Sequence, residues 1–218
     1  MEDRILKIGT RTSPLALRQV EEVVSALRFV SFEIVGIDTR GDIDKTTPIS
    51  EMEGSDFFTR EIEDALSDGR IDLAVHSAKD LPDEIPKGLL VAAVTKSIDP
   101  YDALVSKGNL RIDQLPDNAK IGASSLRRKT QLKKYRSDFQ IADIRGNIQE
   151  RLKKLDEDGL DAVIAAACAL KRLGLERRIS QRIPFEILTP HPLQGALAVE
   201  TKEDNRELID LLKVLDAR

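Results

Sequence analysis

Residues His76 to Pro82 read His-Ser-Ala-Lys-Asp-Leu-Pro and follow directly on the apolar run Ile71-Asp72-Leu73-Ala74-Val75. This places a lysine and an aspartate side by side in the turn that leaves a buried strand. In open α/β sheets, ligands bind at the carboxyl ends of the strands. Asp80 is therefore a candidate proton-transfer group and Lys79 a candidate anion ligand, the other reading of an isolated Lys-Asp being a solvated surface pair. His76 reads as a packed strand-end residue, although the ordinary pKa of an imidazole suits proton transfer.

Arginines recur at similar positions. Arg11 follows an apolar run, Arg127 and Arg128 follow Ala119 to Ala123, and Arg145 follows Phe139 to Ile144, with Arg151 on the helix just after. Lys171 and Arg172 lie one turn into the helix after Leu160 to Ala166. If these strand ends face one crevice, cationic groups converge there, and helix N-termini at Ser13, Ser124 and Asn147 add backbone donors and positive dipole ends. Arginine suits carboxylates because its planar fork binds both oxygens. The pattern fits a small polyanionic ligand; ordinary solvated surface arginines are the alternative.

Such residues need strands and helices to place them. Short apolar strands alternate with amphipathic helices: strands at Arg4 to Thr10, Phe32 to Ile37, Ile71 to Val75 and Leu89 to Val94, with helices from Ser13-Pro14 and over Phe57 to Leu66. Ser13 is the N-cap, with proline at the first helical position. The pattern restarts with strands at Ala119 to Ala123, Phe139 to Ile144 and Leu160 to Ala166, each followed by a helix, and a final helix over Lys202 to Leu215. This alternation predicts parallel sheets covered on both faces. The span Asp99 to Asn118, rich in Pro, Gly and Asp, reads as a connection between two lobes.

Bulk composition narrows the function classes. The 218 residues carry a net charge of −4, 33% charged and 4% aromatic residues and no Trp, so neither a basic field nor stacking platforms point to nucleic acid. No apolar run approaches a membrane span of ~20 residues, and the expected compartment is the cytoplasm. One Cys and two His, far apart, form no recognisable metal site.

Several segments together resemble one family, hydroxymethylbilane synthase, also called porphobilinogen deaminase. They are Ile8 to Leu17, Thr39-Arg40-Gly41-Asp42, His76 to Pro82, Ile121 to Arg128, Ile144-Arg145-Gly146-Asn147, Leu170 to Leu175 and Gln194-Gly195-Ala196, in that order. The resemblance implies an α/β fold with two lobes like those of type II periplasmic binding proteins, joined by two hinge strands. Lobe 1, carrying the acid, would be residues 1–95 plus 195–218; lobe 2, rich in arginine, would be 96–194.

The resemblance further implies a transferase that joins four porphobilinogen molecules head to tail into hydroxymethylbilane, with loss of ammonia, in tetrapyrrole and haem biosynthesis. Asp80 would be the catalytic acid. Arg11, Lys79, Arg127, Arg128, Arg145, Arg151 and Arg172 would hold carboxylates, and Ser13, Ser77, Ser124 and Ser125 would add hydrogen bonds. A dipyrromethane cofactor and a monomeric chain are also implied.

The chain departs from the family in places. It stops at Leu215 to Arg218, where the family's hinge to its third, cofactor-cysteine domain begins, so that domain is expected to be absent. Cys168, which stands where the family usually has glycine, is a candidate attachment point because a helix N-terminus favours thiolate; a small buried core residue is the other reading. Gly54-Ser55-Asp56-Phe57-Phe58 lacks the basic residue of the family's cleft loop, and Ala123 replaces a hydroxyl residue. Two alternatives stay open at this level: a non-catalytic two-lobe protein binding an anionic ligand, or one component of a split synthase with a separate cofactor-bearing chain.

Overall fold

Ser13 and Pro14 start the first helix as their chemistry dictates: the Ser13 hydroxyl oxygen accepts from the Ala16 amide at 3.2 Å, and proline occupies a position whose amide has no helical partner. The computed structural model describes residues 5–27, 31–44, 47 and 56–218. The chain forms two compact units: Met1–Asp44, Gly54–Ile98 and Ala196–Arg218 make the first, and Lys45–Glu53 with Asp99–Gly195 the second.

Unit 1 contains β1 (Leu6–Thr10), α1 (Pro14–Ala26), β2 (Phe32–Gly36), the short α2 (Arg40–Ile43), α3 (Arg60–Ser67), β3 (Leu73–Ser77) and β4 (Leu89–Val94). Unit 2 contains β5 (Asp102–Ser106), β6 (Lys120–Gly122), α4 (Leu126–Tyr135), β7 (Gln140–Ala142), α5 (Ile148–Glu157), β8 (Ala162–Ala166), α6 (Ala167–Arg172) and β9 (Gln181–Arg182). The chain then returns to unit 1 as β10 (Leu197–Lys202) and α7 (Arg206–Leu212).

Each unit is built on one five-stranded sheet, ordered β2-β1-β3-β10-β4 and β7-β6-β8-β5-β9. Side chains alternate across each sheet, so each face takes its own helices. In unit 1, Leu73 and Val75 face Val20 and Val23 of α1 and Leu208 and Leu212 of α7, while Ala74 faces Ile62 and Leu66 of α3. In unit 2, Ile121 and Ile164 pack with Leu132 of α4, and Val163 and Ala165 with Leu152 and Leu155 of α5. A fully buried Leu or Ile contributes about 1.5–3 kcal/mol, enough for each face to fix its helices.

The expected all-parallel sheets are mixed instead. β10 runs antiparallel to β3 and β4, and β5 antiparallel to β8 and β9. The cause is connectivity: the chain leaves unit 1 after β4 and re-enters as β10 from the carboxyl edge, so the returning strand runs against its neighbours. The Asp99–Asn118 span is not simply a connection, because it supplies β5, paired on both sides within the second sheet. The helix expected over Phe57 to Leu66 begins only at Arg60, after a 3₁₀ turn over Asp56–Phe58. Likewise the last helix is confined to Arg206–Leu212, because Lys202 still belongs to β10 and the cap of α7 is Asn205.

Candidate active site

In unit 1 the parallel strands β1, β2 and β3 end on one edge, and their loops wall a pocket. Thr10, Arg11 and Ser13 come from the end of β1 and the start of α1, Phe58 and Thr59 from the turn before α3, and His76, Ser77 and Asp80 from β3 and its following turn. Asp80 closes the short 3₁₀ turn Ala78–Asp80, whose first amide is tied to the residue before β10 by Ala78 N–H donating to the Ala196 carbonyl at 3.1 Å. Lys79 is half-buried on the same turn.

The charged groups around this pocket are paired, with one exception. Arg11 forks onto Asp42, its Nε donating at 3.1 and 2.9 Å to the two carboxylate oxygens and its Nη2 bonding Oδ1. Burial acts to raise the Asp42 pKa, but the hydrogen bonds and charge of Arg11 outweigh it, and the carboxyl is held below its ordinary value. The Thr39 amide and hydroxyl also donate to Asp42 Oδ2, at 3.2 and 2.8 Å. The Arg11 guanidinium stacks over the Phe58 ring at 4.5 Å, a cation–π contact that orients it. Gly41 allows this: a Cβ there would lie 2.1 Å from Phe58 Cε1.

His76 Nε2 lies 2.8 Å from Glu200 Oε2, and Ser77 Oγ accepts from Gln19 Nε2 at 2.8 Å. Asp80 is the exception. Among the described residues its carboxylate has no hydrogen-bond or ion-pair partner.

In unit 2 the parallel strands β6, β7 and β8 likewise end on one edge, which gathers Ser124, Ser125, Arg127, Arg128, Arg145 and Arg151. Ser125 caps α4, accepting from the Arg128 amide at 3.2 Å. Asn147 caps α5, and the Asn147 amide donates back to Glu150 Oε2 at 2.7 Å. Gly146 sits at φ +106°, and a Cβ there would meet Glu150 Oε2 at 2.4 Å; both conditions require glycine.

Several expected carboxylate ligands on this edge have protein partners. Arg128 is buried and its Nε and Nη2 donate to Asp102 Oδ1 at 3.1 and 2.5 Å. Arg127 Nη2 donates to the second oxygen of Asp102 at 2.8 Å, and its Nη1 to the Thr189 carbonyl. Gln194, fully buried, donates from Nε2 to Asp102 Oδ1 at 3.0 Å and to the Pro100 carbonyl at 2.8 Å. Burial alone would raise the Asp102 pKa; the two guanidinium groups outweigh it and lower it to about 2. Ser124 is buried and its hydroxyl donates to the Ile144 carbonyl at 2.6 Å. Arg128 and Ser124 therefore hold the start of α4 rather than face solvent.

Arg151 Nε donates to the Gly146 carbonyl at 2.7 Å, the Arg145 carbonyl accepts from Lys154 at 3.2 Å, and Arg172, at the end of α6, donates to the Gly195 carbonyl at 2.9 Å. Cys168 is 5% exposed in α6 among Ala167, Ala169 and Leu170. Gly54 and Ser55 lie outside the described residues, and among the described residues no group of His, Cys, Asp and Glu is arranged to hold a metal ion.

Residue-by-residue reading of the sequence missed Gln19, Glu63, Asp102, Gln194 and Glu200. Asp42 had a local signal, the Thr-x-x-Asp spacing of a capping motif. For Asp102 the only signal was a charge at the start of an apolar run, Asp102 to Val105.

Comparison with known proteins gives a consistent result. Residues 6–210 match the family described as porphobilinogen deaminase, dipyromethane cofactor binding domain. The porphobilinogen deaminase of Natranaerobius thermophilus is 50% identical over 97% of this chain and 70% of its own length. That of Brevibacillus brevis is 45% identical over 96% and 69%. Among solved structures, the second substrate binding domain of a Streptococcus pneumoniae protein superposes with a TM-score of 0.57 at 15% identity, covering 95% of this chain and 90% of that one. The methionine binding protein MetQ gives 0.55 at 13% identity, over 96% and 88%. These two likenesses show the fold: α/β, of the two-lobe periplasmic-binding-protein type.

Proposed function

Because the chain belongs to the porphobilinogen deaminase family, we propose that Asp80 is its catalytic acid and that the arginines at the strand ends receive the carboxylates of substrate and product. The protein is a transferase of tetrapyrrole biosynthesis that condenses porphobilinogen into hydroxymethylbilane with release of ammonia. The observation that carries the Asp80 assignment is its carboxylate on the pocket wall, without a protein partner among the described residues where Arg11 and His76 each have one.

A primary amine leaves poorly unless protonated. Asp80 gives its proton to the aminomethyl nitrogen as the carbon–nitrogen bond breaks and ammonia departs. The carboxylate that remains faces the positive charge left on the pyrrole, which it stabilises. Arg11 and Lys79 hold the acetate and propionate in unit 1, with Ser13 and Ser77 as hydrogen-bonding partners. Arg127, Arg145, Arg151 and Arg172, with Ser125, do so in unit 2, while Arg128 and Ser124 act indirectly by fixing α4. We thus assign the acid to the first unit and anion holding to both, with most of the arginines in the second.

The family's dipyrromethane cofactor supplies the pyrrole end from which the chain grows. The guanidinium and helix-start donors fit its carboxylates. Cys168 does not fit as its anchor, since a thiol 5% exposed in the core is not presented for bond formation.

On this reading the partner is a small molecule, and we place a monomeric protein in the cytoplasm without nucleic acid or membrane. A net charge of −4 argues against a nucleic-acid partner, and no helix of the described residues is long and apolar enough to cross a membrane. The test is Asp80→Asn in the full chain. Loss of a general acid costs 10²–10⁴-fold, so kcat is expected to fall at least about 100-fold while porphobilinogen still binds. Turnover close to that of the unaltered protein would remove Asp80 from the mechanism.

A further inference from the structure

Behind the Asp80 pocket lies a second group of ionisable residues that the chemistry above does not use. Among the described residues of unit 1, only His76, Glu63 and Glu200 are both ionisable and buried, at 5, 4 and 0% exposure. His76 and Glu200 share one face of the β3–β10 pair: His76 stands opposite Ala198 and Ala74 opposite Glu200. Residues two apart on paired strands are diagonal neighbours, and the two side chains meet at 2.8 Å. α3 covers this face and brings Glu63 against it.

Stability does not explain this arrangement. A buried ion pair is on average no more stable than an apolar pair of the same shape, and a second carboxyl adds a further desolvation cost. Oxygens of both acids, Glu63 Oε1 and both of Glu200, are buried without a well-aligned hydrogen bond. Two carboxylates beside a single imidazole do not balance in charge, so the arrangement favours a proton on one of them.

We propose that Glu63 and Glu200 are positioning residues for Asp80 that act through His76. The Glu200 carboxyl meets the imidazole and the Glu63 carboxyl packs against the pair from α3, and this arrangement keeps His76 on the pocket wall and the turn after it in register. Three residues separate His76 from Asp80, both line the pocket, and β10 supplies Glu200 while Ala196, just before it, supplies the carbonyl that ties down Ala78. Burial and the charge of Glu200 both raise the Glu63 pKa, against smaller lowering by Thr59 and His76. The ionisable neighbours of Glu63 are thus Glu200 from β10, His76 from β3 and, raising it slightly, Asp56 from the turn before α3. β1 and β4, which also pack on α3, bring no buried ionisable side chain.

The proposal rests on Asp80 as the acid, and its test separates the two. The pH dependence of kcat for porphobilinogen consumption is measured on the full chain and on Glu63→Gln and Glu200→Gln. Ionisation of Glu63 with rising pH breaks the arrangement, so Glu63→Gln moves the alkaline fall in kcat to higher pH or abolishes it. Glu200→Gln removes the neighbouring charge, moves that fall to lower pH, and cuts kcat at least about tenfold with KM within about twofold. An alkaline limb that neither variant moves overturns the proposal.

If Glu200→Gln does not fold, Glu63→Gln and a ¹³C-carboxyl NMR titration of Glu63 in the unaltered chain decide. Titration at the ordinary glutamate value of about 4.3 overturns it. Asp80→Asn is assayed alongside: normal turnover there overturns the acid assignment. An unmoved limb in an enzyme that does need Asp80 overturns only the buried cluster.

Discussion

Asp102→Asn tests how unit 2 holds its arginines. The substitution keeps the shape of the side chain but removes its charge and turns one acceptor oxygen into a donor. Asp102 accepts from Arg128 twice, from Arg127 and from Gln194. The Arg128 side chain is only 7% exposed, so water cannot replace what it loses. Removing one partner of a buried charge pair costs about 3–5 kcal/mol.

The acid pKa gives a second, smaller figure. A fall from the ordinary 3.8 to about 2 is a drop of roughly 1.8, which at 1.36 kcal/mol each is about 2.4 kcal/mol. It counts the charge alone and not the orphaned donors. The sign follows from the direction. A carboxyl whose pKa is lower in the folded state stabilises fully above pH ~4, and that contribution is lost as pH falls through ~2. At pH 3 about 1.3 kcal/mol of it remains, so the gap between the unaltered protein and the variant narrows by about 1 kcal/mol. Urea unfolding followed by circular dichroism at pH 7 and pH 3 reads both quantities. A cost below about 1 kcal/mol at pH 7, or a gap that does not narrow in acid, would refute the reasoning and return Arg128 to the pool of ligand-facing cations.

Two further outcomes are expected. Gly41→Ala places a methyl group 2.1 Å from Phe58 Cε1, so the ring must leave the Arg11 guanidinium; KM for porphobilinogen is expected to rise several-fold with the fold retained, and an unchanged KM would mean that the Phe58–Arg11 stack does not serve substrate. Cys168, 5% exposed, is expected to resist a thiol reagent in the native protein and to react with one equivalent after denaturation. Rapid native labelling would reopen it as an attachment point.

Features coded by nearest neighbours were legible in the sequence. The Ser13-Pro14 helix start, the Asn147 cap and the Asp80 turn depend on contacts a few residues apart, and their residue types announce them. The direction of β10 was not legible, because a strand carries the same apolar pattern whichever way it runs. Nor were the partners of the site residues. Glu200 meets His76 and Asp102 meets Arg127 and Arg128 across long stretches of chain, and a glutamate or aspartate within an apolar run carries no mark of which cation it will face. The 3₁₀ turn at Asp56–Phe58 escaped for a related reason: Phe58 sits at helical spacing from Ile62, but the rings of Phe57 and Phe58 stack with Arg40 and Arg11.

These long-range pairings alter what an arginine-rich sequence means. Counted from the chain, the strand ends offer a wealth of cations. Counted from the structure, Arg11, Arg127 and Arg128 already have carboxylates. A bidentate partner fixes a guanidinium in place at little conformational cost to a later ligand, so the half-exposed members, Arg11 and Arg127, arrive pre-oriented while Arg128 serves the fold. The same logic applied to the acids isolates Asp80. Asp42 and Asp102 are held ionised by arginine, which makes them poor proton donors near neutrality. Glu63 and Glu200 are sealed beneath the sheet. Asp80 is the carboxyl group that lines the unit 1 pocket, and among the described residues it has no guanidinium partner. With Arg11 and His76 each engaged by a carboxylate, Asp80 is the charged group on the pocket wall left open to a substrate amine.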